Sequence, residues 1–359
     1  MLNVTKPYLP ELKEYTNYLE GIWERNWLTN HGPLVGELEN KLQEYLNVPF
    51  LQYTCNGTIP LQMAIKALDL KGEIITTPFS YVATTGAILW ENCSPVFVDI
   101  NVSDFCIDAD KIEAAITTNT SAIMATHVYG FPCDVVKIKQ IAEKHGLKII
   151  YDGAHAFGVK IRGESIYKYG DISTCSFHAT KLFHTIEGGA IVSSDEQINQ
   201  KIRLFKSFGH LGDDYFSIGI NGKNSEFHAA MGLCNLPKVC EFIQQRKSIA
   251  GLYKNQLEGL GIIFPEIPKD VEYNYSYFPI LFVSEKSLLN VMKLLSEKGV
   301  STRRYFYPSL NKLPYLSSKF NCPVSEDISR RVLCLPFYQQ LTKENVDFVC
   351  SVIRSAIKK

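Results

Sequence analysis

Through the first two thirds of this chain, short apolar runs alternate with segments of helical spacing, and that rhythm limits the fold more than any other feature. The runs fall at residues 73–76, 95–99, 121–127, 148–152, 174–177 and 190–193. Helical spacing occupies 60–70 and 135–145 between them, and 196–208 after the last. Strands joined by helices of that length pair in parallel, since a parallel connection needs a long crossover. The expected architecture is α/β with a mostly parallel sheet flanked by helices. Sheets of this kind bind ligands beyond the carboxyl ends of their strands. From about Pro237 the texture changes to a long helical stretch (238–257), a strand-like 275–282, a helix after Ser284 and a closing helix from Thr342. This reads as a smaller C-terminal α+β domain, dividing the chain into 1–237 and 238–359. With no repeats, low-complexity segments or long linkers, the two parts are expected to associate rigidly.

Composition narrows the class of function. The 359 residues suffice for a large core, and 46% hydrophobic with 21% charged content is ordinary for a globular enzyme. Acidic and basic residues number 37 each, so nothing global attracts nucleic acid or an anionic membrane. A negatively charged substrate has to be met by local cations. The ten cysteines are scattered without CxxC spacing, several within apolar runs, and read as small core residues. No metal site is expected. The N-terminal segment carries no apolar stretch of targeting or spanning length, and a cytoplasmic location is expected.

Chemically, the chain turns on Lys181, which closes Ser176-Phe177-His178-Ala179-Thr180-Lys181 and precedes Glu187-Gly188-Gly189. A lysine beside the end of an apolar strand, among small residues, is poorly placed as a solvated charge. Burial lowers the pKa of such an amine and makes it a nucleophile toward carbonyls. Asp152 lies 29 residues upstream and ends another apolar run, Ile149-Ile150-Tyr151-Asp152-Gly153-Ala154-His155. A carboxylate at the end of a buried strand needs a partner. A protonated pyridine nitrogen is one, and the pair suggests pyridoxal 5′-phosphate (PLP).

Other segments add to this, each with a plainer explanation beside it. Asn56-Gly57-Thr58 opens the helical stretch at Pro60, where glycine permits close approach, threonine offers a hydroxyl and free helix N–H groups suit a phosphate; a simple N-cap would look the same. Ser176 would lie near that phosphate. His155 could lean on the cofactor ring, or be a satisfied core histidine. Tyr81, in Ser80-Tyr81-Val82-Ala83-Thr84, could stack on the ring, although aromatics there are usually core.

Their order (phosphate turn, aromatic, aspartate, serine with lysine) is that of fold-type I PLP enzymes, and the wording resembles the DegT/DnrJ/EryC1/StrS family of nucleotide-sugar aminotransferases. The likeness runs from Trp27-Leu28-Thr29-Asn30-His31-Gly32-Pro33, through Gly219-Ile220-Asn221-Gly222-Lys223-Asn224, to Arg303-Arg304-Tyr305-Phe306-Tyr307-Pro308 and Cys334-Leu335-Pro336-Phe337. It implies a seven-stranded large-domain sheet. It also implies that Lys181 carries PLP covalently and that Asp152 faces the pyridine nitrogen. Tyr81 and His155 would flank the ring, and Gly57, Thr58 and Ser176 would hold the phosphate. Asn221 would reach the phosphate of a neighbouring subunit, which makes the enzyme a homodimer with shared active sites. Thr29, Arg303, Arg304, Tyr305 and Tyr307 are candidates for contacts with the sugar nucleotide, since arginine forks suit a diphosphate; the same residues could simply line a domain interface. Relatives often carry an aromatic, an arginine and an asparagine where Gly222, Lys223 and Leu182 stand, and a histidine near Asn311.

The implied reaction moves an amine from glutamate to a nucleotide-linked keto-6-deoxyhexose, with Lys181 as the proton-transferring base. A dTDP-sugar is favoured over UDP, amination at C3 or C4 stays open, and the product would feed an O-antigen or other glycan. Among rival readings, a sugar dehydratase of the same fold would replace the lysine by histidine. A cysteine desulfurase would need a reactive cysteine on a loop, and a non-catalytic PLP-binding protein would not keep Lys181, Asp152 and Asn221 together.

Overall fold

The structure is a computed structural model and describes residues 1–316 and 318–357. Seven strands, β1 (Phe50–Thr54), β2 (Glu73–Thr76), β3 (Ser94–Phe97), β4 (Thr120–Thr126), β5 (Lys148–Asp152), β6 (Ile172–Ser176) and β7 (Gly189–Ser193), form one sheet in the order β1-β7-β6-β5-β4-β2-β3. β7 pairs antiparallel with both neighbours, while the other pairings are parallel, so six strands share one direction. The α/β class and the mostly parallel sheet are as the sequence rhythm implied.

Helices cover both faces because the strands alternate between two apolar sets. Ile74, Met124, Ile150 and Ile191 point to one side and pack with Leu61 and Ile65 of α3 (Ile59–Ala67), Ile88 of α4 (Val82–Trp90) and a further helix over Glu196–Phe205. Their neighbours Ile75, Ile123, Ile149, Tyr151 and Val192 point to the other side. They share a core with Ile22 of α1 (Leu12–Arg25), Leu38 and Leu42 of α2 (Pro33–Leu46) and Ile138 of a helix over Val135–His145. Each such side chain contributes about 1.5–3 kcal/mol by leaving water.

A second core gathers the long helix Val239–Leu257 (Ile249, Tyr253, Leu257), the helix Glu285–Glu297 (Leu288, Val291, Leu295) and the closing helix Lys343–Ile357 (Val346, Val349, Ile353). The first turn of the long helix, through Val239 and Phe242, still belongs to the first core. A short antiparallel pair, Pro279–Leu281 with Val332–Cys334, lies between the two.

Several boundaries differ from the sequence reading for identifiable reasons. Strand β1 was not anticipated: at an edge of the sheet, its mixed sequence Phe-Leu-Gln-Tyr-Thr is neither apolar throughout nor cleanly alternating. α3 stops at Ala67 because Asp69 adopts a left-handed φ of 53°, and Phe208 with φ 61° similarly follows the helix that ends at Phe205. The expected strand 275–282 narrows to Pro279–Leu281. Upstream of it, Asn274 Nδ2 donates to the carbonyls of His155 and Phe157, and Arg246 donates to those of Tyr275 and Ser276. The extended segment is satisfied by side chains rather than by a ladder.

Candidate active site

A cavity of about 260 Å³ opens at the carboxyl ends of the parallel strands, lined by Gly57, Thr58, Tyr81, Asp152, His155, Ser176, Lys181, Arg303 and Tyr305 among others. Residues named from five separate stretches of sequence thus converge on one space.

Lys181 sits in the loop that links β6 to β7. The loop is closed by Phe177 N–H to the Gly188 carbonyl (2.7 Å) and Thr185 N–H to the Phe177 carbonyl (2.9 Å). Phe177 and Phe183 anchor it, each packing on Phe157, so the lysine between them is held against the cavity. Its Nζ donates to Tyr277 Oη at 3.3 Å. Burial pulls the Lys181 pKa below the ordinary 10.5, while the Asp152 carboxylate works in the opposite direction. Burial also raises the Tyr277 pKa, so the phenol stays protonated beside the amine.

Asp152 ends β5 and is 5% exposed. One carboxylate oxygen accepts from Thr84 Oγ1 at 2.7 Å and the other from Ala154 N–H at 3.1 Å. Three residues on, His155 Nδ1 accepts the Tyr129 N–H at 3.1 Å, which leaves the ring proton on Nε2. Burial first, and the Lys181 charge second, hold His155 well below its ordinary pKa. It is a flat, neutral ring, stacked with Phe306 at 5.6 Å and 8°.

The phosphate end needs a correction. Both Thr58 N–H and Ile59 N–H donate to Asn56 Oδ1 at 2.9 Å, so these amides at the start of α3 are not free as expected. Thr58 and Ser176, which both carry hydroxyls, line this end. Gly57 packs so tightly on Ser176 that a Cβ there would lie 2.6 Å from Ser176 Cβ. Only glycine fits, and the concavity it leaves suits a small anion. With a buried carboxylate, a deprotonation-prone amine, a neutral flat imidazole and a hydroxyl-lined end, the residues present fit a phosphorylated pyridine aldehyde.

Not every expected residue reaches this cavity. Arg303 lines it, with its guanidinium 4.4 Å above the Tyr305 ring. Arg304 does not: it pairs with Glu285 Oε1 at 2.7 Å and lies 3.5 Å over the Tyr307 ring. Arg304 and Tyr307 instead line an adjoining cavity of about 180 Å³, which shares Ser80, Tyr81, Arg303, Tyr305 and Phe306 with the first. Thr29 and Asn221 are exposed and line neither. Asn311 is buried in a structural network with Ser309, Phe320 and Glu326.

Comparison with known proteins places this geometry. The sequence profile of the DegT/DnrJ/EryC1/StrS aminotransferase family matches residues 11–354. The chain belongs to that family. Two relatives bear the name dTDP-4-amino-4,6-dideoxy-D-glucose transaminase. The one from Shigella dysenteriae is 42% identical, covering 98% of each chain. The one from Escherichia coli is 44% identical, over 96% of this chain and 95% of that one. Among solved structures, DesI in the presence of its TDP-sugar product superposes with a TM-score of 0.95 at 32% identity, covering 100% of this chain and 93% of that one.

In this aminotransferase, several pocket residues were not singled out from sequence. Tyr277, the hydrogen-bond partner of Lys181, lies in the tyrosine-rich 273–277 run, where an aromatic reads as core. Phe306 was quoted only as part of a motif. Asn56 was noticed only as the start of a turn, and Thr84 is hidden in the apolar helix Val-Ala-Thr-Thr-Gly-Ala-Ile-Leu-Trp.

Proposed function

We propose that this aminotransferase moves an amine between glutamate and C4 of a dTDP-linked 6-deoxyhexose, using PLP seated at Lys181. The observation that carries the reading is the near full-length likeness to two relatives whose names specify that sugar, that nucleotide and C4. When bound, PLP supplies an electron sink for the amino donor's Cα–H bond.

Lys181 takes the proton from the donor Cα and returns it, a role that suits an amine whose pKa burial has lowered. Tyr277 Oη steadies that amine within hydrogen-bond reach. Asp152 would face the cofactor's ring nitrogen, and Tyr81 and His155 would flank the ring. Gly57, Thr58 and Ser176 hold the phosphate. Arg303 and Tyr305 meet the sugar nucleotide directly, with Tyr307 and then Thr29 further out.

The working form is a homodimer in which Asn221 serves the neighbouring site. Supporting this, Leu211, Tyr215, Phe216 and Ile218 in the segment before it are more than half exposed, with Ile218 at 82%. Such an apolar surface is suited to a second copy of the chain. No helix among the described residues is long and apolar enough to cross a membrane. We place the enzyme in the cytoplasm, supplying an amino sugar for a surface polysaccharide such as O-antigen.

The test is a panel of dTDP- and UDP-linked 3-keto and 4-keto hexoses offered with glutamate, read by mass spectrometry and NMR. Amination at C4 of the dTDP-4-keto-6-deoxyhexose is expected. Turnover of only a 3-keto or only a UDP sugar would overturn the assignment.

A further inference from the structure

A chain of hydroxyls runs beneath the pocket and ends on Asp152. Thr126 Oγ1 donates to Ser80 Oγ at 3.1 Å, Ser80 Oγ and Thr84 Oγ1 are 2.8 Å apart, and Thr84 Oγ1 donates to Asp152 Oδ2 at 2.7 Å. All three hydroxyl residues are at most 1% exposed. Three elements supply them: the loop after β2, the first turn of α4 and the end of β4, where Thr126 lies directly beside Asp152 in the parallel register.

The direction of each bond follows from counting protons. An ionised carboxylate only accepts, so the one hydroxyl proton of Thr84 goes to Asp152. Thr84 must then accept from Ser80, and Ser80 from Thr126. Every dipole points toward the carboxylate, and bonds aligned in this way polarise one another. The start of α4 adds its positive end to the same spot. Hydrogen bonds to the charged form of a buried acid favour that form.

From this geometry we infer that Thr84, backed by Ser80 and Thr126, is a positioning residue that holds the Asp152 carboxylate aimed at the place of the cofactor's ring nitrogen. The inference rests on the role proposed for Asp152. Lys181, Cys175 and Tyr167 are titratable groups that feel the Asp152 charge. Burial pushes the Cys175 thiol up to about 12 and the Tyr167 phenol well above its usual range, so both are neutral. The relay on Oδ2 and the Ala154 N–H on Oδ1 are thus the uncharged donors to this carboxylate among the described residues. Without the relay, Asp152 is no longer held in line with the ring nitrogen; a pyridine nitrogen without its carboxylate partner would not keep its proton, and the pH midpoint of the bound cofactor's absorption would rise.

The test measures PLP affinity and the pH midpoint of the bound cofactor's visible absorption in wild type, Thr84→Val, Thr84→Ser, Ser80→Ala and Asp152→Asn. Thr84→Val is expected to weaken PLP binding about tenfold, of the order of one charge-assisted hydrogen bond, and to move the midpoint upward. Ser80→Ala should do the same to a smaller degree, about threefold, and Thr84→Ser should resemble wild type. If Thr84→Val fails to fold, Ser80→Ala decides by the same two readouts. An unmoved midpoint in both variants, or a Thr84→Ser protein that behaves like Thr84→Val, overturns the relay. If Asp152→Asn also leaves both readouts unchanged, the role of Asp152 itself falls; if only Asp152→Asn shifts them, the relay alone is wrong.

Discussion

The two walls of the pocket are built on different principles. The wall at the strand ends fixes its polar groups with short, saturated contacts: Asp152 has a donor on each oxygen, His155 a backbone donor on Nδ1, and Lys181 a loop closed by backbone bonds. The wall contributed by residues 303–307 is made of rings and guanidinium groups, stacked as Arg303 on Tyr305 and Arg304 on Tyr307. The first arrangement fixes its polar groups atom by atom; the second presents broad faces, with Arg303 unpaired with a carboxylate among the described residues. On the proposed function, cofactor chemistry belongs to the rigid wall and substrate choice to the stacked one.

The largest effect that can break this division is at the strand-end wall. Lys181→Ala should lower kcat by about 10³-fold, as expected for loss of a positioned general base, with sugar-nucleotide affinity retained in equilibrium dialysis. Equal loss of affinity would mean the two walls are not separable. On the other wall, Arg303→Ala should raise KM for the sugar nucleotide about tenfold with little change in kcat, the signature of lost uniform binding. Its neighbour provides the contrast. Arg304→Ala should leave KM within about threefold but lower stability by about 2 kcal/mol in urea unfolding, because Glu285 loses its partner. A reversed pattern would move the diphosphate contact to Arg304.

Smaller effects sharpen the account of Lys181. Tyr277→Phe should lower kcat about fivefold, the scale of one neutral hydrogen bond, without altering KM. Burial depresses the Lys181 pKa in the folded state, so at neutral pH the fold bears the cost of an ammonium that the unfolded chain solvates freely. Lys181→Met should therefore raise the Tm of the cofactor-free protein near pH 7. The gain should shrink as pH rises toward 10.5, where both states become neutral. A gain that grows with pH would contradict that sign.

The strand-end wall was the more legible of the two in the sequence. Lys181, Asp152, His155 and Ser176 lie at or just beyond the ends of strands whose apolar runs were plain, so reading the strands located the residues. Their supports were not legible. Thr84 and Ser80 act through contacts with β4 and β5 that are 46 and 68 residues away along the chain, and no local pattern marks them. Tyr277 was lost for a different reason: it fell inside the expected strand 275–282, where an aromatic reads as core, whereas the structure holds that part of the segment through Asn274 and Arg246. On the stacked wall, the pair of arginines was visible but its division of labour was not, since Glu285 is 19 residues from Arg304 and on a different element. The amides at the start of α3 were misjudged because Asn56, one residue before Gly57, bends back to cap them.

The most direct test of the central claim is borohydride reduction of the purified, PLP-loaded protein followed by peptide mass spectrometry. The account predicts a yellow protein in which reduction abolishes activity and fixes the cofactor to the peptide containing Lys181. Cofactor fixed to a different lysine, or an active enzyme after complete reduction, would contradict it.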